Sequence, residues 1–297
     1  MISIIIPVKN REQELKRAID SVLKQTVQDS LEIIVVDDKS EMDINSIVGN
    51  YNDPRIVCVL NDKSISNANV CRNLGFKRAK GEYIAMLDSD DEWLPNHLEQ
   101  KIKFLEKNNC EGVFGSYYID DSVEKRDVIS RPFKKGENMI NYLLTDGKAA
   151  TPSHVYKAEA AKSIIWDEAL LRHQDFDFSV RFAEKFSFLP SKEVTCIVHW
   201  TKGEKRLEDV DSQIRFIKKH KQKISPEIYN MYHSGIYSQI QYRKDLSEDT
   251  LRYFKKESAR FIQAISLNEY LSLNKEGKGK LGRLLLRVKY IVKVFFN

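Results

Sequence analysis

Apolar positions change their period along the chain, and the changes mark out elements. Residues 3–7 are a short Ile-rich run ending at Pro7, which predicts a buried strand. Residues 12–25 follow with Leu15, Ala18, Ile19, Val22 and Leu23 at the spacing of one helical face. Residues 31–36 and 56–60 repeat the strand pattern, the first stopping at Asp37-Asp38. Residues 66–80 predict a helix capped by Ser66 and closed by Gly81. A fourth strand, 82–87, runs into Asp88-Ser89-Asp90-Asp91, and 95–109 predict a helix with Pro95 in its first turn. Strands that alternate with helices at this rhythm pair in parallel through crossovers, giving an α/β sheet. These strands are apolar throughout, so helices are expected on both faces.

Beyond residue 112 the pattern is mixed. Residues 113–118 and 194–200 read as strands and 176–184 as a helix. After Lys202 the stretches 207–223, 227–243, 248–272 and 280–296 read as consecutive helices, broken at Ser225-Pro226 and at 275–279. The expected organisation is an α/β catalytic domain over 1–204 and a helical extension over 205–297.

Charge sharpens this division. The 297 residues carry a formal +5. Residues 1–201 hold 27 Lys and Arg against 32 Asp and Glu, a net of −5; residues 202–297 hold 21 against 11, a net of +10. Residues 278–297 contain six Lys and Arg and no acid, interleaved with Leu, Val, Ile and Phe. That pattern suits a basic amphipathic helix on an anionic membrane surface. The alternative is an apolar stripe docking on the protein or on a second copy, making a homo-oligomer through the C-terminal helices. Nucleic acid is not expected, because no nucleic-acid motif accompanies the charge. No apolar run reaches the roughly 20 residues that span a bilayer, and the N-terminus lacks the basic start of a signal peptide. The four cysteines are far apart with no CxxC, which argues against a disulfide framework and a zinc site. The expected location is the cytoplasm, peripheral on the inner membrane face.

In an open parallel sheet, ligands bind at the carboxyl ends of the strands. Three predicted strands end in polar clusters: 7–10, 37–40 and 88–91. Asp88, Asp90 and Asp91 would repel one another unless protons or a cation compensated them. Oxygen donors suit Mg²⁺ or Mn²⁺ bridging to substrate phosphates. Neither a GxGxxG nor a P-loop sequence occurs, and Arg72 is a candidate cation for a diphosphate.

Five ordered motifs resemble family-2 glycosyltransferases of the GT-A fold: residues 3–7 (SIIIP), 34–40 (IVVDDKS), 71–75 (CRNLG), 81–84 (GEYI) and 87–91 (LDSDD). The resemblance implies a nucleotide-diphosphate-sugar donor, a divalent metal and an inverting transfer. It places Pro7 and Asn10 in the nucleotide pocket, Asp37 and Asp38 at the base and ribose, and Arg72 at the base or diphosphate. Asp88-Ser89-Asp90 matches the DxD element, with Asp90 and Asp91 as ribose and metal ligands. Lys39 stands where the family usually has Gly, so the loop is expected to bend differently.

A second segment, 166–178, resembles the stretch in which a Glu-Asp pair opens a helix beneath the acceptor site; here Gln174 replaces the Glu and Asp175 remains. An inverting displacement needs a base for the acceptor hydroxyl, and Asp175 is that candidate, with Asp177 as fallback. His199, before the basic loop 202–206, is assigned to the metal or diphosphate. Thr151, Ser153 and His154 are candidates for the sugar pocket with Gln174, and Trp93 and Trp166 for stacking on a sugar ring. The expected acceptor is a lipid-linked glycan in surface polysaccharide, O-antigen or capsule assembly, with a UDP-sugar as donor. A non-catalytic nucleotide-sugar-binding module is the competing class; a sugar nucleotidyltransferase fits less well, because residues 9–11 offer no glycines.

Overall fold

The computed structural model describes residues 1–146, 149–200, 209–240, 243 and 245–264. From the N-terminus come β1 (Ile2–Val8), α1 (Glu12–Leu23), β2 (Leu31–Asp37), α2 (Ile44–Gly49), β3 (Ile56–Leu60), α3 (Ala68–Arg78), β4 (Tyr83–Met86), the two-residue β5 (Glu92–Trp93) and α4 (His97–Asn108). Then follow β6 (Gly112–Gly115), β7 (Tyr117–Asp120), β8 (Lys125–Val128), α5 (Met139–Asp146), β9 (Val155–Lys157), α6 (Ala158–Lys162), α7 (Gln174–Ala183), β10 (Phe188–Ser191), β11 (Cys196–His199) and α8 (Val210–His220). The remaining described helices are α9 (Pro226–Ile240) and α10 (Glu248–Ala264).

Seven strands form a sheet in the order β10-β6-β9-β4-β1-β2-β3. All its pairs are parallel except those made by β9, which runs antiparallel to β4 and β6. A smaller sheet follows the order β5-β11-β7-β8. β1 lies between two parallel neighbours and all seven of its residues are buried, which is why its sequence shows no polar alternation. Each buried Ile there contributes about 1.5–3 kcal/mol relative to exposure. Pro7 is tolerated because the β1–β4 register ends at Ile5, so no ladder bond is lost on that side.

Gly75 sets how closely α3 can approach this strand. A Cβ there would lie 2.5 Å from Ile5 Cγ2. Only glycine lets the helix carrying Arg72 press onto the strand.

Three expectations change. The stretch 113–118 is two strands in different sheets, β6 and β7, joined at Ser116. Its hydroxyl donates to Ser191 O (3.1 Å) and accepts from Ser130 N–H (2.9 Å). α3 is capped by Asn67, whose side chain accepts from Asn69 and Val70 N–H at 3.0 Å each. Ser66 instead donates its hydroxyl to Asp38 (2.9 Å), and Gly81 donates to Ser3 Oγ (2.8 Å) rather than closing the helix.

The chain divides into two compact units, Met1–Lys219 and a second that begins at His220. In the second, α9 and α10 meet at His233, whose Nε2 lies 3.2 Å from Tyr253 Oη, beside the fully buried Phe254. No helix among the described residues is long and apolar enough to cross a membrane. The basic tail, 278–297, and the loop 202–206 lie outside the described residues.

Candidate active site

The parallel register brings the ends of β1, β2 and β4 to one rim, so the three polar clusters face a common region. Asp38 N–H donates to Val8 O (2.8 Å) and Leu87 N–H to Ile5 O (3.1 Å), tying the three exits together. Two cavities open there, of about 490 and 480 Å³. Pro7, Asn10, Asp38 and Arg72 line the first; Gln174, Asp175, Asp91 and His199 line the second; Asp88 and Asp90 belong to both.

In the first cavity the loops are cross-linked by their own polar groups. Asn10 N–H donates to Ser40 Oγ (2.9 Å) and its Oδ1 accepts from Glu41 N–H (2.7 Å). Asp37 lies behind the wall, its carboxylate accepting from Ser40 N–H (3.0 Å). Asp38 is buried and accepts from Asn61 Nδ2 (2.7 Å) as well as Ser66. Arg72 is only 2% exposed. Its guanidinium donates to Asn69 Oδ1 (3.0 Å) and to Asp88 (2.7 Å), and stacks 4.7 Å from the Trp166 ring centre. Asp90 is ion-paired with Arg11, and its carbonyl accepts from Arg17.

Asp175 opens α7 and lines the second cavity. Its carboxylate accepts from Phe176 N–H (2.9 Å). Burial pushes its carboxyl up to about 6 and the neighbouring Asp88 adds to this, against the lowering effects of the Phe176 N–H and Arg72. Asp91 is pushed well above the usual carboxylate range by burial and by Asp88 and Asp90, while accepting from His199 N–H (2.9 Å). The His199 ring sits 3.1 Å from Glu92. Among the described residues no group of three or more His, Cys, Asp or Glu side chains is arranged to hold a metal.

Residues 3–163 match the family model described as glycosyl transferase family 2. The chain belongs to that family. It is 32% identical over 190 residues to a Methanocaldococcus jannaschii protein named as the uncharacterized glycosyltransferase MJ1057, a match covering 61% of this chain and 64% of that one. It is 36% identical over 132 residues to WfaP of Escherichia coli, named as a UDP-Glc:α-D-GlcNAc-diphosphoundecaprenol β-1,3-glucosyltransferase. That match covers 44% of this chain and 52% of WfaP. The chain thus spans about half to two thirds of these relatives' length. Staphylococcus aureus TarS 1–349, solved with UDP-GlcNAc, superposes with a TM-score of 0.60 at 17% identity, over 92% of this chain and 80% of that one. The likeness identifies the fold as GT-A.

As a family-2 glycosyltransferase the chain departs from the expected pattern in small ways. Lys39, in place of Gly, adopts φ +60°, the left-handed conformation glycine would supply. A non-glycine residue holds that conformation at a strain cost of about 1 kcal/mol or more. Trp93 is buried, stacks on His97 at 4.3 Å and donates to Pro152 O (2.7 Å). Trp166 is 1% exposed beneath Arg72. Neither presents a face to a sugar. Ser153 and His154 are fully buried as well. Ser153 Oγ donates to Ala150 O (2.7 Å), and His154 bonds Tyr156 Oη (2.6 Å), its ring pushed down to about 3 by burial. Thr151 is the member of that trio on the cavity wall. Asp177, the fallback base, is buried and paired with Arg181 (2.7 Å) and Lys219 (2.8 Å).

Two sets of residues that hold Asp175's segment escaped the sequence reading. From α3, Asn69 Nδ2 donates to Asp167 O (2.8 Å) and Leu170 O (2.7 Å), and Asn73 Nδ2 donates to Trp166 O (3.0 Å). From α8, Ser212 Oγ accepts from the N–H groups of Leu171 (2.9 Å) and Arg172 (3.0 Å). Phe216 stacks on His173 at 5.0 Å, and Lys219 reaches Asp167 (2.6 Å). The 212, 216, 219 spacing is one helical face. That periodicity is the signal, though it does not reveal what the face meets.

Proposed function

We propose that this chain is an inverting glycosyltransferase that moves a sugar from a nucleoside-diphosphate donor, a UDP-sugar, to a hydroxyl of a glycan acceptor. The observation that carries the reading is the placement of Asp175 in one cavity with Asp88 and Asp90, which also line the neighbouring cavity of the Pro7, Asn10 and Asp38 loops. In the step itself, Asp175 takes the acceptor hydroxyl's proton as that oxygen bonds the anomeric carbon. The carbon–oxygen bond to the diphosphate breaks on the opposite face, and its electron pair leaves with the diphosphate. A base pushed up to about 6 is ionised at neutral pH yet basic enough to accept that proton.

A divalent cation fits the donor chemistry. The groups are hard carboxylate oxygens, and Asp91 is driven up by burial and then by Asp88 and Asp90, whose nearby negative charge a cation would relieve. Mg²⁺ or Mn²⁺ commonly takes only one or two protein carboxylates, the substrate phosphates supplying the rest, so a preformed three-residue cage is not required. Asp90 and Asp91 would hold it, with His199 adjoining; when bound it offsets charge on the leaving diphosphate. Arg72, locked by Asn69 and Trp166, orients Asp88.

A lipid-linked acceptor is supported by WfaP's named acceptor and by the basic tail 278–297, which would hold the enzyme on the cytoplasmic membrane face. The test is a panel of nucleotide sugars, each with Mg²⁺ or Mn²⁺, scored for donor hydrolysis and for transfer to lipid-linked glycan. Turnover of one UDP-sugar is expected. Calorimetric donor binding without turnover on any acceptor pool would instead make the chain a binding module.

A further inference from the structure

The chain has three tryptophans, and the third behaves unlike the others. Trp93 and Trp166 are 3% and 1% exposed, whereas Trp200 is 52% exposed although it lines the Asp175 cavity. An aromatic ring of this size left open forgoes about 1.5–3 kcal/mol of burial. Its backbone is nonetheless fixed. Trp200 N–H donates to Asp120 O (2.7 Å) and the preceding His199 N–H to Asp91 (2.9 Å), so the exposed ring is carried on the anchored end of β11. From the edge strand β8, the Arg126 guanidinium lies 5.6 Å from the ring centre and braces it. A second large apolar side chain in the same lining, Leu171, is 54% exposed.

The rest of the lining says what such a surface could receive. Among the described residues it holds the carboxyl groups of Asp88, Asp90, Asp91, Asp175 and Asp209, of which Asp88 is paired with Arg72 and Asp90 with Arg11. Ionised carboxylates accept hydrogen bonds and donate none. A group that suits this lining brings hydroxyl donors for the carboxylates and an apolar face for the exposed ring. A pyranose has both features, C–H groups on its faces and hydroxyls at its edge.

We propose that Trp200, braced by Arg126 and flanked by Leu171, is the platform on which the acceptor's pyranose ring stacks beside Asp175. This rests on the glycosyltransferase reading above and adds to it the part of the acceptor that is recognised.

The experiment compares Trp200→Ala, Trp200→Phe and Asp175→Asn with the parent full-length chain. Acceptor KM, donor KM and UDP affinity are measured, together with acrylamide quenching of tryptophan fluorescence in UDP-saturated protein. The quenching probes are methyl glycosides of glucose, galactose and N-acetylglucosamine. Trp200→Ala is expected to raise the acceptor KM tenfold or more and Trp200→Phe to recover most of that loss. Donor KM and UDP affinity should move less than twofold. In the parent, at least one glycoside should protect the quenchable tryptophan, an effect lost in Trp200→Phe. An acceptor KM unchanged in Trp200→Ala, or no protection by any glycoside, overturns the platform. Transfer that survives Asp175→Asn while Trp200→Ala still raises acceptor KM would sink the base assignment and leave the platform standing.

Discussion

Asp175→Asn separates chemistry from stability more cleanly than any other single change in this chain. The substitution keeps the shape of the side chain and the acceptor for Phe176 N–H, and it removes the charge. The carboxyl is raised from 3.8 to about 6, chiefly by burial. At 1.36 kcal/mol per pH unit, holding it ionised costs the fold about 3 kcal/mol as an upper bound, reduced by partial exposure to roughly 1–3. The sign follows from the protons bound. Between pH 4 and 6 the folded protein keeps a proton that the unfolded chain has released, so stability falls as pH rises through that window and the penalty is complete above it. Asparagine carries no such penalty. At pH 8 the variant should therefore melt several degrees higher than the parent in the metal- and nucleotide-free state, and the two curves should converge near pH 4. Transfer should fall by about 10²–10⁴, the usual contribution of a general base. In the parent, transfer should lose its rate on the acid side near pH 6, as the base becomes protonated. Differential scanning calorimetry from pH 4 to 8 and a transfer assay on the same preparations test both halves. Transfer within tenfold of the parent would remove Asp175 from the chemistry, and an unaltered melting temperature at pH 8 would remove the burial argument.

Four further outcomes follow from the same contacts. Arg72→Lys keeps a charge but not the fork that engages Asn69 and Asp88 over Trp166; a loss of about 1–3 kcal/mol in urea and at least a tenfold fall in transfer are expected. Ser212→Ala strips the acceptor from two N–H groups of the base segment and should cost about 1–3 kcal/mol, with kcat falling and donor KM unchanged. Asp177→Asn breaks pairs with Arg181 and Lys219, so a loss of about 3 kcal/mol is expected while transfer per folded molecule stays within tenfold; abolished transfer in a folded variant would make Asp177 the base. The full chain should co-sediment with anionic vesicles and a version ending at Glu276 should not; equal binding would exclude a membrane role for the tail.

Much of the first hundred residues was legible because local signals there agree with the tertiary outcome. The apolar runs of β1, β2 and β4 are largely buried on both faces, so composition alone marked them, and the parallel rule placed their polar ends together. Between 112 and 200 the strands are three or four residues long, and a stretch of that length carries no period from which its sheet could be assigned. The split at Ser116 depends on contacts with Ser130 and Ser191, residues far along the chain.

The chain itself determined which residue types are available for the proposed chemistry: carboxylates after the strands, an arginine on α3, an aspartate opening α7. Tertiary structure decided their duties. It made Arg72, the candidate cation for a diphosphate, a buried clamp on Asp88, and it sent Trp93, Trp166 and His154 into the core while leaving Trp200 open beside Asp175. The physical reason is that residue type sets what a group can donate, accept or ionise. Burial, partner and distance, which set what it does, come from segments a hundred residues apart meeting at one rim.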